Sequence, residues 1–409
     1  MQDLTLELTS MAHGGSAMGR DEDGRAVFVP FAIPGEQVRV RITSQKKSYA
    51  QGKVIELLTP SPDRVEPRCP HFTVCGGCHF QHIAYEAQLR LKREVVRDQL
   101  SRIGGFRDAN VLPTLANPTP WEYRHDISLS PTEEGSLGFW SPSMGQVIPI
   151  ERCPIIHPQL STLWQDLDME LPGLRKMTLR VGDDEALLAA MEIDDVEPPE
   201  LEVDFPISVA IILPDHTSAS LIGDNHLIQS VKGSDFRVSP GCFFQPSPAA
   251  AELLIDTVVR YASLSGTETV VELYSGIGML TKFLAGGAAQ LIGIEVNADA
   301  IEDASINLAD FDNISLYQGW VEDVLPILDA KPDLMVVNPP DDGLSVEARK
   351  SITEMTAPRL IYISSDAATL SRDGKQLAKA GYQLKALQPI DMTPHNFQID
   401  SVSLWERTS

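Results

Sequence analysis

Val270-Val271-Glu272-Leu273-Tyr274-Ser275-Gly276-Ile277-Gly278 runs from an apolar strand into a glycine turn, and a helix is expected over Met279–Ala285. Glycine in such a turn lets the backbone approach a ligand closely, and the first N–H groups of the helix face whatever sits there. The next strand pattern, Gln290–Val296, carries Glu295, 19 residues after Gly276. A carboxylate at that strand end can accept both hydroxyls of a ribose, as in dinucleotide folds. Those folds add a third glycine for the pyrophosphate, and Gly-x-Gly-x-x-Gly is absent here. A ribose ligand without phosphate fits better, and S-adenosylmethionine is the expected one. The alternative is a structural turn with a helix cap.

Outward from this turn, strand and helix patterns alternate strictly from about Ala249 onward. Strands are expected at Thr269–Tyr274, Gln290–Val296, Ile314–Gly319, Asp333–Asn338 and Arg359–Ser364, with helices between them. That alternation predicts a doubly wound parallel sheet, hence an α/β fold of the Rossmann-like, class I type. Strand patterns at Tyr382–Ile390 and Ile399–Arg407 follow one another without a helix and are expected to pair antiparallel.

The 409 residues suffice for two or three domains. Residues 1–58 show short strands at Leu4–Leu8, Ala26–Phe31, Gln37–Thr43 and Gly52–Leu58, separated by Gly and Pro turns, which predicts a small OB-like β-barrel. A helix is expected from Ile83 to Ile103, closed by Gly104-Gly105, with Leu89, Val96, Leu100 and Ile103 on its apolar face. Residues 107–235 alternate β-type runs with loops, so a central, mostly antiparallel β domain is expected, with Glu192–Asp204 as an exposed acidic loop. The division that follows is 1–58, 59–240 and 241–409. The sequence shows no apolar run long enough for a membrane span and no signal peptide, so a cytoplasmic monomer is expected.

The net charge is −24, from 33 basic and 57 acidic residues, which by itself argues against a nucleic-acid partner. It is uneven: residues 1–110 hold 15 Lys and Arg against 13 Asp and Glu. Arg39, Arg41, Lys46, Lys47 and Lys53 fall on or beside the later barrel strands, and Arg90, Lys92, Arg93, Arg97 and Arg102 line the helix. They are either a solvated face or a contact for an RNA backbone.

Five cysteines are present, and Cys69, Cys75 and Cys78 crowd within ten residues, with Cys153 distant. In a long chain of this kind such spacing points to metal or catalysis rather than to a disulfide framework. Four thiolates suit zinc or an iron–sulfur cluster, and three clustered ligands plus one distant one resemble the latter more. Cys153 read alone could be an inert buried thiol, and Cys242 is expected to pack in a core.

Taken together, these residues resemble the RNA (uracil-5-)-methyltransferases, which make 5-methyluridine in ribosomal or transfer RNA. Val27-Phe28-Val29-Pro30 and Pro34-Gly35-Glu36 resemble that family's RNA-binding TRAM domain. The resemblance implies a [4Fe-4S] cluster on Cys69, Cys75, Cys78 and Cys153. Phe244-Gln245 matches a Phe-Gln pair whose Gln contacts S-adenosylmethionine, and the resemblance implies a cofactor set of Gln245, Glu272, Tyr274, Gly276, Gly278, Glu295 and Asn338.

The family's chemistry uses a cysteine that adds to uracil carbon 6 and a carboxylate that later removes the carbon-5 proton. Here the nucleophile segment reads Ile363-Ser364-Ser365-Asp366-Ala367-Ala368-Thr369, where the family has Ser-Cys-Asn-Pro-Ala-Thr, so Ser365 stands at the cysteine position. Pro394-His395-Asn396-Phe397-Gln398-Ile399-Asp400 puts Asp400 where the family has the glutamate base. The family's Asp-Pro-Pro-Arg is Asn338-Pro339-Pro340-Asp341. A serine is a far weaker conjugate-addition nucleophile without an adjacent base, and His395 is the nearest expected one. Three readings follow: an RNA methyltransferase with altered nucleophile and base, a non-catalytic paralogue that binds RNA and cofactor, or a nitrogen methyltransferase acting through Asn-Pro-Pro.

Overall fold

Burial alternates along Asp3–Met11 (β1), Ser16–Arg20 (β2), Ala26–Pro30 (β3), Gln37–Gln45 (β4) and Tyr49–Thr59 (β5), with Leu6, Leu8, Ala17, Val27, Val29, Val38 and Val40 inward. The computed structural model describes residues 3–133, 135–167, 173–194 and 203–408. In it β1 pairs with β4 and closes a barrel of order β1-β2-β3-β5-β4. The strand β2 is not evident in sequence, because Ser-Ala-Met-Gly-Arg lacks an apolar period; a Cβ on Gly19 would stand 2.6 Å from the Glu7 carbonyl oxygen across the pair. Arg41 is paired with Asp3 and Arg39 with Glu56, while Lys46, Lys47 and Lys53 are exposed and enter no ion pair found among the described residues.

The helix Tyr85–Gln99 (α1) runs into a wider π turn, Leu100–Gly104, and ends on Gly105 in the left-handed conformation at φ 82°. Its phase differs from the expected one. Leu91, Val95, Val96 and Leu100 are buried, Leu89 is half-buried and Ile103 is exposed. Lys92 also points inward, so the basic stripe does not form one surface: Lys92 Nζ donates to Asp391 Oδ1 at 2.6 Å with both side chains fully buried, and Arg93 donates to the Val111 carbonyl. Both α1 and the segment after it pack on the C-terminal sheet, where Val111 and Leu115 bridge to Leu387 and Ile390.

The central sheet comprises Asp126–Pro131 (β6), Leu137–Ser141 (β7), Gln146–Pro149 (β8), Leu174–Val181 (β9), Leu187–Ile193 (β10), Ser208–Ile212 (β11) and Ser218–Ile222 (β12). Its order is β12-β11-β10-β9-β6-β7-β8, antiparallel except for β10 with β11. Pro158–Asp166 (α2) packs on its apolar face through Leu160, Leu163 and Trp164. Glu192 and Ile193 end β10 rather than opening a loop, and residues 195–202 of the expected acidic loop lie outside the described residues. A hairpin, Leu227–Val231 (β13) with Ser234–Val238 (β14), packs its Val231 and Phe236 against Leu254 and Val258 of Pro248–Ala262 (α3).

The C-terminal part is the expected doubly wound sheet. It holds Thr269–Leu273 (β15), Met279–Ala285 (α4), Gln290–Glu295 (β16), Ala298–Asn307 (α5), Ile314–Gln318 (β17), Val321–Val324 (α6), Leu334–Val337 (β18), Val346–Glu354 (α7), Arg359–Ser364 (β19), Ala367–Lys379 (α8), Tyr382–Ile390 (β20) and Asp400–Arg407 (β21). The order is β17-β16-β15-β18-β19-β21-β20, parallel throughout except that β21 runs against both neighbours. Strands this apolar are buried on both faces, as helix-covered parallel sheets require. Cys242 packs into the core on one of those faces, as expected. No helix among the described residues is long and apolar enough to cross a membrane.

Candidate functional site

The turn after β15 is held in an unusual backbone. Tyr274 adopts φ 61°, a left-handed conformation that costs a non-glycine residue on the order of 1–3 kcal/mol and clusters at functional sites. Gly276 follows at φ 55° with open space where a Cβ would stand, and Gly278 at φ 85°, where a Cβ would meet Leu308 Cδ1 at 2.8 Å. The first glycine leaves room above the turn; the second lets α5 pack against it. Glu295 ends β16 as expected. Its Oε2 accepts from the Gly276 N–H at 2.9 Å, and its Oε1 accepts from Val296 and Asn297 N–H at 2.8 and 2.9 Å.

The other expected cofactor residues fall at different depths. Glu272 lies under the turn, fully buried, and accepts from the Thr281 hydroxyl at 2.7 Å. Burial pushes its carboxyl up to about 8, with Thr281 opposing and the Glu295 charge adding to the rise. Burial likewise raises the Tyr274 phenol to about 12, helped by Glu322, Asp373 and Glu295. Asn338 follows β18 and donates its N–H to the Leu273 carbonyl at 3.3 Å, which sets it beside the glycine turn. Gln245 is half-buried in a crevice it shares with His125, Asp126, Arg180 and Gln229.

Ser365 and Asp341 meet at the carboxyl ends of the neighbouring strands β18 and β19, the edge where open α/β sheets bind ligands. Ser365 Oγ donates to Asp341 Oδ1 at 2.5 Å. Asp366 caps α8, with Oδ1 accepting from Ala368 and Thr369 N–H at 2.9 and 2.7 Å, while its Oδ2 meets His13 Nε2 at 2.7 Å. That bond holds the His13 imidazole above its usual pKa. Asp400 begins β21 in register with Ile390. Burial pushes its carboxyl up to about 7, Lys92 pulls it down, and the charges of Asp391 and Asp341 push it up again. The Asp341 charge thus reaches Asp400, so the two carboxylates lie within electrostatic range of one another.

His395 does not serve Ser365. It is buried, stacked on Trp121 at 3.8 Å between ring centroids, and bonded through Nδ1 to Gln88 at 3.1 Å. Burial, with the charge of Lys92, lowers its pKa to about 3. Asp341 takes the place beside Ser365 instead. Sequence reading missed that contact, and it missed His13 and the Lys92–Asp391 pair. The departure at Asp341 was itself the available signal, whereas His13 lies 353 residues from its partner and gives none.

The cysteine segment is braced against the Asp400 loop. His79 and Phe80 donate their N–H groups to the His395 carbonyl, and Asn396 Nδ2 donates to the Gly77 carbonyl. Cys75 and Cys153 pack on the central sheet's core. Burial raises the Cys78 thiol to about 12, Gln81 opposing, and Cys153, Cys75 and Cys69 add to the rise; Cys153 is raised by burial to about 11, with Cys69 and Cys75 contributing. The four thiols thus lie within electrostatic reach of one another. Among the described residues, no three His, Cys, Asp or Glu side chains close around a point as a single metal ion requires.

A closed N-terminal barrel joined to a class I methyltransferase sheet, with a strained glycine turn and polar side chains at the strand ends, defines the class of protein. Residues 2–55 match the TRAM domain. An uncharacterized RNA methyltransferase of Halalkalibacterium halodurans is 32% identical over 99% of this chain and 96% of its own length. One from Thermosynechococcus vestitus is 31% identical over 98% and 97%. The Pyrococcus abyssi tRNA (uracil-54, C5)-methyltransferase, solved with S-adenosyl-L-homocysteine, superposes with a TM-score of 0.73 at 22% identity, covering 98% of this chain and all of that one. The chain belongs to this family of TRAM-containing RNA methyltransferases.

Proposed function

We propose that the protein transfers the methyl group of S-adenosylmethionine to a base in ribosomal or transfer RNA, on the architecture of the 5-methyluridine enzymes but without a cysteine adduct. The observation that carries this reading is the 2.5 Å hydrogen bond from Ser365 to Asp341. The thiol route depends on an appreciable thiolate fraction, from a pKa of about 8.5. A serine hydroxyl held by a carboxylate has no such fraction, since carboxylates are weaker bases than the imidazole that activates serine elsewhere. The two carboxylates, Asp341 beside Ser365 and Asp400 at the base position, are suited to a different task, together taking the proton from an acceptor base that brings its own lone pair. This favours, as a second reading, methylation of a nitrogen oriented by Asn338 in Asn338-Pro339-Pro340. When bound, S-adenosylmethionine supplies the methyl group. The residues that would hold it are Gln245, Tyr274, Gly276, Gly278, Glu295 and Asn338, with Glu272 supporting the turn from below. We divide the chain for this purpose at 1–58, 59–240 and 241–409.

We assign to Cys69, Cys75, Cys78 and Cys153 a [4Fe-4S] cluster with a structural role. Three cysteines within ten residues, and a distant fourth, Cys153, that packs on the same core as Cys75, supply the four thiolates such a cluster takes. RNA containing 5-fluorouracil tests the main reading, because fluorine at carbon 5 cannot leave as a proton and traps any adduct. The protein is expected to form no covalent complex on a denaturing gel, and Ser365→Cys alone is expected to restore little, since Asn338, Asp341 and Asp400 also differ from the thiol enzymes. A covalent complex with the unaltered protein would contradict it.

A further inference from the structure

Between the barrel and the cysteine segment lies an open cleft of about 390 Å³, within the ~300–1,000 Å³ range of small-ligand clefts. Phe31, from the loop after β3, and Phe72, from the loop between Cys69 and Cys75, line it together with Arg64 and His82. The Phe31 and Phe72 rings sit edge-to-face at 5.3 Å, and Phe72 lies 5.4 Å from the His82 ring at a tilt of 36°. Phe31 holds a left-handed backbone at φ 59°, and Thr73 on the rim another at φ 75°. Both phenylalanines are half-buried, so apolar ring surface stays open to the cleft.

His82 is only 2% exposed, yet neither ring nitrogen has a hydrogen-bond partner. The Ala32 carbonyl lies near the ring but outside hydrogen-bond geometry. Buried polar groups in folded proteins are nearly always bonded, so two orphan nitrogens at a cleft point to a partner that arrives with a ligand. Arg64 is already committed: it donates to both oxygens of Glu36 at 2.6 and 2.8 Å, and to the Phe31 carbonyl at 3.2 Å. The cleft therefore offers no spare cation to a phosphate.

We infer that this cleft binds one nucleobase of the RNA strand, stacked on Phe72 with the Phe31 ring against its side, and read along its edge by His82. The inference rests on the RNA methyltransferase reading above and adds a second base site to it. A nucleobase is the ligand that presents a flat apolar face together with donors and acceptors on its edge, and single-stranded RNA is commonly bound by stacking unpaired bases on aromatic side chains. Burial, and the Arg64 charge after it, lower the His82 pKa to about 4. The ring is thus neutral near pH 7 and presents one donor and one acceptor. An apolar side chain of a protein partner would leave both nitrogens unpaired. Phe72 rides on the loop between Cys69 and Cys75, so a cluster held by those cysteines would also fix the stacking platform.

The test uses the full-length protein with short single-stranded RNAs carrying 5-iodouridine, cross-linked by light and mapped by mass spectrometry, with affinities from fluorescence anisotropy. Cross-links are expected within residues 64–82. Phe72→Ala should weaken binding by roughly 5- to 100-fold, the range of one lost base stack, and Phe72→Tyr should retain it. His82→Phe should keep most of the affinity and flatten the preference between oligouridine and oligoadenosine. RNA binding that persists with cross-links only elsewhere, and with Phe72→Ala equal to wild type, overturns the cleft while leaving the RNA methyltransferase reading intact. A wild-type protein that binds no RNA overturns both.

Discussion

Ser365 donates to Asp341 at 2.5 Å, and in the resemblance drawn from sequence both residues depart from the motif of the thiol enzymes. Both departures were readable in the sequence. Their pairing was not, because 24 residues separate them and only the parallel adjacency of β18 and β19 brings their ends together. The same holds for Asp400: its place at the base position follows from the motif, but its environment depends on Lys92, Asp391 and Asp341, which arrive from other elements. With its carboxyl raised to about 7, Asp400 is largely protonated at pH 6 and largely ionised at pH 8. A base must be ionised to accept a proton, so kcat/KM for methyl transfer should rise with pH through about 7 and then level off. Asp400→Asn should be slow and lose that rise. A wild-type profile that is flat from pH 6 to 8 would remove Asp400 from the proton path.

Among the elements, the parallel sheet was legible because its strands are apolar runs between helical patterns, and the glycine turn fixed where ligand would sit. The elements that escaped included β2, α2 and β12, which are short and have little apolar periodicity of their own, and the β13–β14 hairpin escaped as well. In α1 the period was legible and the phase was not. Leu89 and Ile103 match helical spacing, yet the helix turns Leu91, Val95 and Lys92 inward because the C-terminal sheet and Asp391 receive them. The Lys92–Asp391 pair, 2.6 Å apart with neither side chain exposed, pins α1 to the loop that leads to Asp400. Removing one partner strands a buried charge, which typically costs about 3–5 kcal/mol. Lys92→Met should therefore lower the urea midpoint strongly, and the double variant Lys92→Met with Asp391→Leu should recover most of the loss. A single variant as stable as wild type would show that the pair does not hold the helix.

Across the whole molecule, the three parts meet near the pocket rather than hanging from linkers. His13, at the tip of the β1–β2 turn, reaches Asp366 at 2.7 Å beside Ser365, and a Cβ on Gly15 would meet Phe397 Cβ at 2.9 Å. The cysteine segment closes the remaining side through Asn396 and His395. Such long-range contacts leave no periodic trace in a sequence, which is why strands and helices could be outlined from patterns while the meeting of His13 with Asp366 could not. The net charge of −24 by itself argues against a nucleic-acid partner, yet the relation to RNA methyltransferases runs over 99% of the chain, so bulk charge is a poor guide to this family. If the four cysteines hold the assigned cluster, anaerobically purified protein should be brown with about four irons per chain, and Cys78→Ser should lose colour together with thermal stability. A colourless protein with a single bound zinc would refute the cluster.

The central claim is that this pocket moves a methyl group to RNA although no cysteine stands at the nucleophile position. Its most direct test incubates the purified protein with methyl-labelled S-adenosylmethionine and RNA from a strain lacking the gene, then separates the nucleosides by mass spectrometry. The account predicts label in one methylated nucleoside, abolished by Asp341→Ala; RNA that stays unlabelled while the protein binds the cofactor would contradict it and identify a non-catalytic paralogue.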